Sequence, residues 1–293
     1  IASSLVGSEM CIRDRVSPMK ANGEIDFNSF KKLLSFHENA KTNGIVLVGT
    51  TGESATLNKY ERGEVFSFAK SESKLPLIAG VGSSSTNDAI ELIEIAQKNG
   101  IDNCMAVTPY YNKPSQKGLF LHFKELSKTS ANIILYNVPG RTGVDLYPST
   151  TKRLSEISSI TGIKEAVDTS ERFEALKKIK SERNDFLLYS GDDPTFVEFM
   201  RYKGDGVISV AANVIPKQIR ELSDLCFQGC FDEAEQLNKN YLDFFKLLFT
   251  EASPSPCKYL LEKMSLLENN LRLPLHPLSE EYREKIYENF KNI

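Results

Sequence analysis

The chain has 293 residues, 41% hydrophobic and 26% charged, which suits an ordinary globular protein of one large α/β domain or two smaller ones. Its net charge of −3 offers no basic footprint for nucleic acid, and no apolar run approaches the roughly 18 residues of a bilayer span. Five cysteines without C-x-x-C spacing fit a reducing cytoplasm, and the three histidines, His37, His122 and His276, form no metal-ligand pattern, so metal catalysis is not favoured.

In chain order, residues 1–15, IASSLVGSEMCIRDR, show neither a strand pattern nor the layout of a signal peptide, and read as non-native or as replacing strand 1. A rhythm begins near residue 25. FNSFKKLLSFHENA has helical period and precedes the apolar GIVLVGTTGES; ERGEVFSFAKSES precedes LPLIAGVGSSS. NDAIELIEIAQKNG, closed by Gly100, precedes NCMAVTPYYNKPS, and QKGLFLHFKELSKT precedes NIILYNVPGRTG. PSTTKRLSEI leads to ITGIKEA, SERFEALKKIKSE to FLLYSGDD, and PTFVEFMRYKG to GVISVAAN. Short β-branched runs alternating with amphipathic helices predict βα units around a parallel sheet. Seven strands fall between residues 45 and 210, and an eighth would have to precede Phe27, near RVSPM. No G-x-G-x-x-G opens a helix after the first of them, which disfavours a dinucleotide fold. The expectation is a TIM (β/α)8 barrel over residues 16–227 and a C-terminal α-helical region over 228–293.

Chemistry in such a barrel sits where strands end, and the polar clusters of this chain lie there: Thr50 and Thr51, Tyr110 and Tyr111, Tyr136, Arg141, Lys164 and Asp192. In ITGIKEA, period-2 alternation places Ile160, Gly162 and Lys164 on one face and Thr161, Ile163 and Glu165 on the other. A lysine pointing into the barrel is either half of an ion pair, with Glu165 a nearby acid, or a Schiff-base nucleophile. An ordinary lysine is uncharged less than about 0.1% of the time at pH 7, and apolar burial raises that fraction. Tyr136, sharing a face with Ile134, also points inward, as a proton shuttle or as a packed core phenol. Gly49-Thr50-Thr51-Gly52 resembles a small anion nest without the lysine of a P-loop, and Arg141 offers a fork for a second carboxylate. AGVGSSS reads as a tight loop. As a set these residues suggest a carbonyl acid as substrate.

Taken together, GTTGES, TPYYNKPS, YNVPGRTG, GIKEA, SGDD and GVISV resemble the dihydrodipicolinate synthase family of pyruvate-dependent class I aldolases, over roughly residues 17–290. The resemblance implies a homotetramer, a dimer of dimers, working in the cytoplasm in the diaminopimelate route of lysine biosynthesis. It implies no cofactor, because pyruvate itself forms the covalent imine. Its substrates would be pyruvate and L-aspartate 4-semialdehyde. By motif, Lys164 would form the imine and Tyr136 would move its protons. Thr50 would link Tyr136 to Tyr111, which reaches a neighbouring subunit. Thr51 and the backbone of Ile208 would hold pyruvate, and Arg141 would orient the semialdehyde.

The resemblance also sharpens two expectations. SLVGSEMCIRDR puts charges where a hydrophobic first strand should run, so it looks like translated adapter sequence joined to a truncated gene, leaving a barrel with two unpaired edges. Feedback inhibition by lysine should be weak: Lys59 and Arg62 stand at two histidine positions of the inhibitor site, Ser84 replaces an asparagine and Asp88 a glutamate, although Ser54, Ala55 and Tyr110 are kept. Within the same chemistry the alternative is an N-acetylneuraminate lyase or another keto-acid aldolase, but those usually show G-S-T-G-E and lack the arginine of R-T-G. A catalytically silent barrel would have lost Lys164 or Tyr136, and neither is lost.

Overall fold

The computed structural model describes residues 10–293. Eight parallel strands close into a barrel in sequence order. They are β1 (Met10–Asp14), β2 (Gly44–Leu47), β3 (Leu77–Gly80), β4 (Asn103–Val107), β5 (Asn132–Asn137), β6 (Ile160–Glu165), β7 (Leu187–Ser190) and β8 (Gly206–Ser209). Around them run α1 (Phe27–Asn39), α2 (Lys59–Glu72), α3 (Thr86–Lys98), α4 (Gln116–Leu126), the short α5 (Pro139–Thr142), α6 (Pro148–Ser155), α7 (Ser170–Glu182), α8 (Phe196–Arg201) and α9 (Pro216–Phe227). Four more helices follow: α10 (Phe231–Lys239), α11 (Leu242–Leu247), α12 (Ser255–Lys263) and α13 (Glu280–Lys291).

Local sequence explains where helices begin. Asp26, Ser85, Ser115 and Thr169 each accept a backbone N–H at the first turn, and Asn58 with Glu61 forms a reciprocal capping box. Gly100, at φ 73°, ends α3 in the left-handed region that a side chain disfavours.

The first strand corrects one expectation. Residues 1–9 lie outside the described region, but Met10–Asp14 fills the strand-one position and no edge is left open. Ile12 pairs with Gly44 of β2 and with Ile208 of β8. Strand pairing is a backbone interaction, so two flanking strands can template a segment whose side chains read poorly. Side-chain amides reinforce it: Asn43 accepts from the Cys11 N–H, Asn213 accepts from the Val16 N–H, and the Asn213 amide donates to the Asp14 carbonyl. Among the described side chains of β1, Ile12 is the apolar one in the barrel interior, beside Val46, Ile78 and Ile208.

The face assignment of β6 is also corrected. Ile133 pairs with Ile160, but the next residue, Ile134, pairs with Gly162, so Thr161 is an extra residue. This bulge resets the alternation. Ile160 packs in the outer core with Ile163, against the helices, while Gly162 and Lys164 face the interior. The lysine points inward as expected; Ile160 does not share its face.

Candidate active site

Lys164 is the next-to-last residue of β6, only 1% exposed, and pairs in register with Tyr136 on β5 and Tyr189 on β7. Its Nζ lies 4.3 Å from the centroid of the Tyr136 ring. An ion pair is also present, but with Asp14 of β1, whose Oδ2 is 3.3 Å from Nζ, and not with Glu165. Glu165 faces outward to a separate network: it accepts from the Asn137 amide at 2.9 Å, from the Val167 N–H at 2.9 Å and from Arg172 at 3.2 Å. Burial, resisted by Arg172, pushes the Glu165 carboxyl up to about 7.

The chain turns sharply after β2 to present the hydroxyl loop. Val48 adopts φ 55°, an unusual conformation for a β-branched residue, and its carbonyl fills the space where a Cβ on Gly80 would stand, 2.2 Å away. The Gly52 N–H donates to the Gly49 carbonyl and the Glu53 N–H to that of Thr50, leaving Thr50 half-buried and Thr51 buried. Glu53 itself turns inward and pairs with buried Lys258 of α12, while its other oxygen accepts from the Arg272 N–H. The acid of GTTGES thus anchors the loop to the helical region.

Ile208 is buried on β8 and faces the barrel interior. Arg141 lies exposed on α5, just beyond the strand that carries Tyr136. Tyr111, at φ 73°, is 93% exposed, unlike the buried Tyr136. The structure therefore gathers Lys164, Tyr136 and Ile208 inside the barrel, with Thr50 and Thr51 on the loop after β2, and leaves Tyr111 and Arg141 projecting outward. A surface groove of about 640 Å³ between α6 and α7 is lined by none of these residues.

Two acids near Lys164 escaped the sequence reading. Asp14 belongs to a segment set aside there, and its partner lies 150 residues away. Asp193, in the loop after β7, is buried and accepts from the Val210 and Ala211 N–H groups; burial lifts its carboxyl to about 6. SGDD pointed to that loop, but not to which of its two acids turns inward. Among the described residues no group of histidines, cysteines and acids is arranged to hold a metal ion.

A closed parallel barrel with a buried amine and a phenol at its strand ends defines a (β/α)8 protein equipped for carbonyl chemistry. The chain belongs to the dihydrodipicolinate synthetase family, whose model matches residues 9–293. It is 47% identical over 275 residues to the 4-hydroxy-tetrahydrodipicolinate synthase of Stutzerimonas stutzeri, covering 92% of this chain and 93% of that one. Among solved structures it resembles the dihydrodipicolinate synthase of Thermotoga maritima (TM-score 0.94, 38% identity, 97% and 98% of the two chains). It also resembles the chloride-inhibited enzyme of Acinetobacter baumannii complexed with pyruvate (TM-score 0.92, 41% identity, 98% and 99%).

Proposed function

We infer that the chain condenses pyruvate with L-aspartate 4-semialdehyde to give 4-hydroxy-tetrahydrodipicolinate, in the diaminopimelate route to lysine. The observation that carries this reading is Lys164, buried at a strand end beside Tyr136, in a chain whose relatives are synthases of this kind.

The uncharged Nζ attacks C2 of pyruvate, the C=O electron pair moves to oxygen, and a proton passes from the now positively charged nitrogen to that oxygen, giving a neutral carbinolamine. Tyr136 supplies the proton with which the hydroxyl leaves as water, giving the imine. Loss of a proton from C3 then gives an enamine carbon that attacks the aldehyde of the second substrate. Thr51 and the backbone of Ile208 hold the pyruvate carboxylate, Thr50 carries the proton relay toward Tyr111, and Arg141 at the mouth receives the carboxylate of the semialdehyde. The exposure of Tyr111 suits a residue that completes the site of a neighbouring subunit, in a homotetramer built as a dimer of dimers. The imine needs no cofactor. Among the described residues no helix is long and apolar enough to cross a membrane; a cytoplasmic location belongs to the biosynthetic role proposed here.

Borohydride reduction in the presence of pyruvate tests this directly. Peptide mapping should find the adduct on Lys164, and Lys164→Arg should lose nearly all turnover because a guanidinium stays protonated. An adduct on another lysine, or cleavage of N-acetylneuraminate at rates rivalling the condensation, would overturn the assignment.

A further inference from the structure

We propose that Asp14 is a charge clamp on Lys164: its carboxylate holds the amine as an ammonium and so sets the pH at which the imine can form. The inference rests on the reading of Lys164 as the imine-forming residue, and it concerns the chain as its sequence stands, with Asp14 inside the segment read above as non-native. Asp14 ends β1 with its side chain turned into the barrel, as Ile12 does two residues earlier, and it is 1% exposed. The other titratable groups facing Lys164 are Tyr136 from β5, Tyr189 from β7 and Asp193 from the loop beyond β7. One oxygen of Asp193 is already engaged by two backbone N–H groups. Asp14 is the carboxylate in hydrogen-bond contact with Nζ.

An ammonium has no lone pair, so attack on the keto carbon waits for its proton to leave. Burial in the barrel favours the free amine, and here it is the largest single influence on Lys164. Tyr136, Asp14 and Asp193 together outweigh it, and the lysine sits above its ordinary value. The position of the second Asp14 oxygen adds to the effect. Oδ1 has no hydrogen-bond partner and lies 2.2 Å from where a Cβ on Gly49 would stand. The carboxylate is therefore packed against the loop of Thr50 and Thr51, where the carboxylate of the keto acid is to bind. One negative charge thus opposes both the nucleophile and the substrate. Asp14 makes and breaks no bond; it is a positioning residue that works through Lys164.

The test uses Asp14→Asn, which keeps the shape and removes the charge, and Asp14→Ala, which keeps the experiment open if the amide folds badly. Imine formation is read in the full chain by borohydride trapping with pyruvate from about pH 6 to pH 10, beside steady-state rates over the same range. In both variants the acid limb of kcat/KM should move down by about one pH unit or more, raising the rate at pH 7 roughly tenfold. KM for pyruvate should fall as well. Trapping with an unshifted acid limb would overturn the clamp alone, and a slower variant would make Asp14 a base instead. Absence of a trapped lysine in every variant at every pH would overturn the reading of Lys164, and the clamp with it.

Discussion

Strands β1 and β6 both bury charge, and they do it in opposite ways. On β6, Glu165 meets a donor on every side, and its main partner Arg172 is held in turn by Asp145 at 2.6 Å and by the Leu146 carbonyl at 2.9 Å. On β1 and just past its end, Arg13 and Arg15 turn outward into the layer between barrel and helices with only part of their hydrogen-bonding capacity met. Arg13 reaches the Cys11 sulfur and the Pro216 carbonyl, but its Nε has no partner. Arg15 donates once, to the Phe30 carbonyl, and lies over the Phe30 ring, while Nε and Nη1 are left without partners. Burial pulls the Arg15 guanidinium down to about 9. His37 packs nearby with neither ring nitrogen bonded; burial first, then Arg15 and Arg13, hold it well below the usual histidine range. The cost of a buried charge is set by the partners around it, not by burial as such.

The largest effect should come from breaking the well-matched side. Arg172→Ala leaves Glu165 and Asp145 without their shared cation and should cost about 3–5 kcal/mol, read as a lower urea midpoint at pH 8. A cost below about 1 kcal/mol would show that the β6 network contributes no more than a surface pair. The poorly matched side should respond with the opposite sign. Arg15→Ile exchanges orphaned donors for apolar volume and should stabilise the fold by about 1–4 kcal/mol, the range seen when buried ions give way to packed hydrophobes. Destabilisation by Arg15→Ile would mean that the contact with Phe30 and its carbonyl outweighs the unmet donors, and the contrast between the strands would fail.

The same contrast explains what the sequence revealed. Seven strands were legible because β-branched runs alternate with helical periods, and the inward tyrosine followed from alternation, whereas the inward lysine shares its face with Gly162 but not with Ile160. Strand β1 was not, because CIRD carries a single interior hydrophobe, Ile12, and takes its conformation from β2 and β8 on either side. The bulge at Thr161 was equally hidden: it is a register choice made by β5, invisible within β6. Among the site residues, the strand-borne Lys164 and Tyr136 could be placed from local pattern, whereas Ile208 entered only through the family resemblance. Asp14 could not, since its role depends on a neighbour across the barrel. Residues 10–14 complete the barrel, and the charges that made them look foreign are the ones the fold accommodates worst.

The smallest predicted effect carries matched charge to the surface. By the family resemblance, Lys59 and Arg62 stand where an inhibitory lysine would bind, and as two bare cations they should repel it. The structure weakens that argument for Lys59, whose ammonium pairs with Asp88 at 2.8 Å and with Glu91. Arg62 remains: it is buried and donates to the Leu57 and Ser54 carbonyls, beside the loop an inhibitor would touch. A neighbouring fixed cation about 7 Å away, at an effective dielectric of about 20, opposes a cationic ligand by roughly 2 kcal/mol before screening. Half-inhibition by lysine should therefore lie above about 1 mM, where a site supplies only about 4 kcal/mol. Lys59→Ala, by releasing Asp88 and Glu91, should tighten lysine binding, but by less than about fivefold, because exposed pairs are worth about 1 kcal/mol at most. Initial rates against lysine at saturating pyruvate measure both. Inhibition that weakens in Lys59→Ala would show that this ammonium helps to hold the ligand, and that a compensated surface charge does not behave as a neutral one.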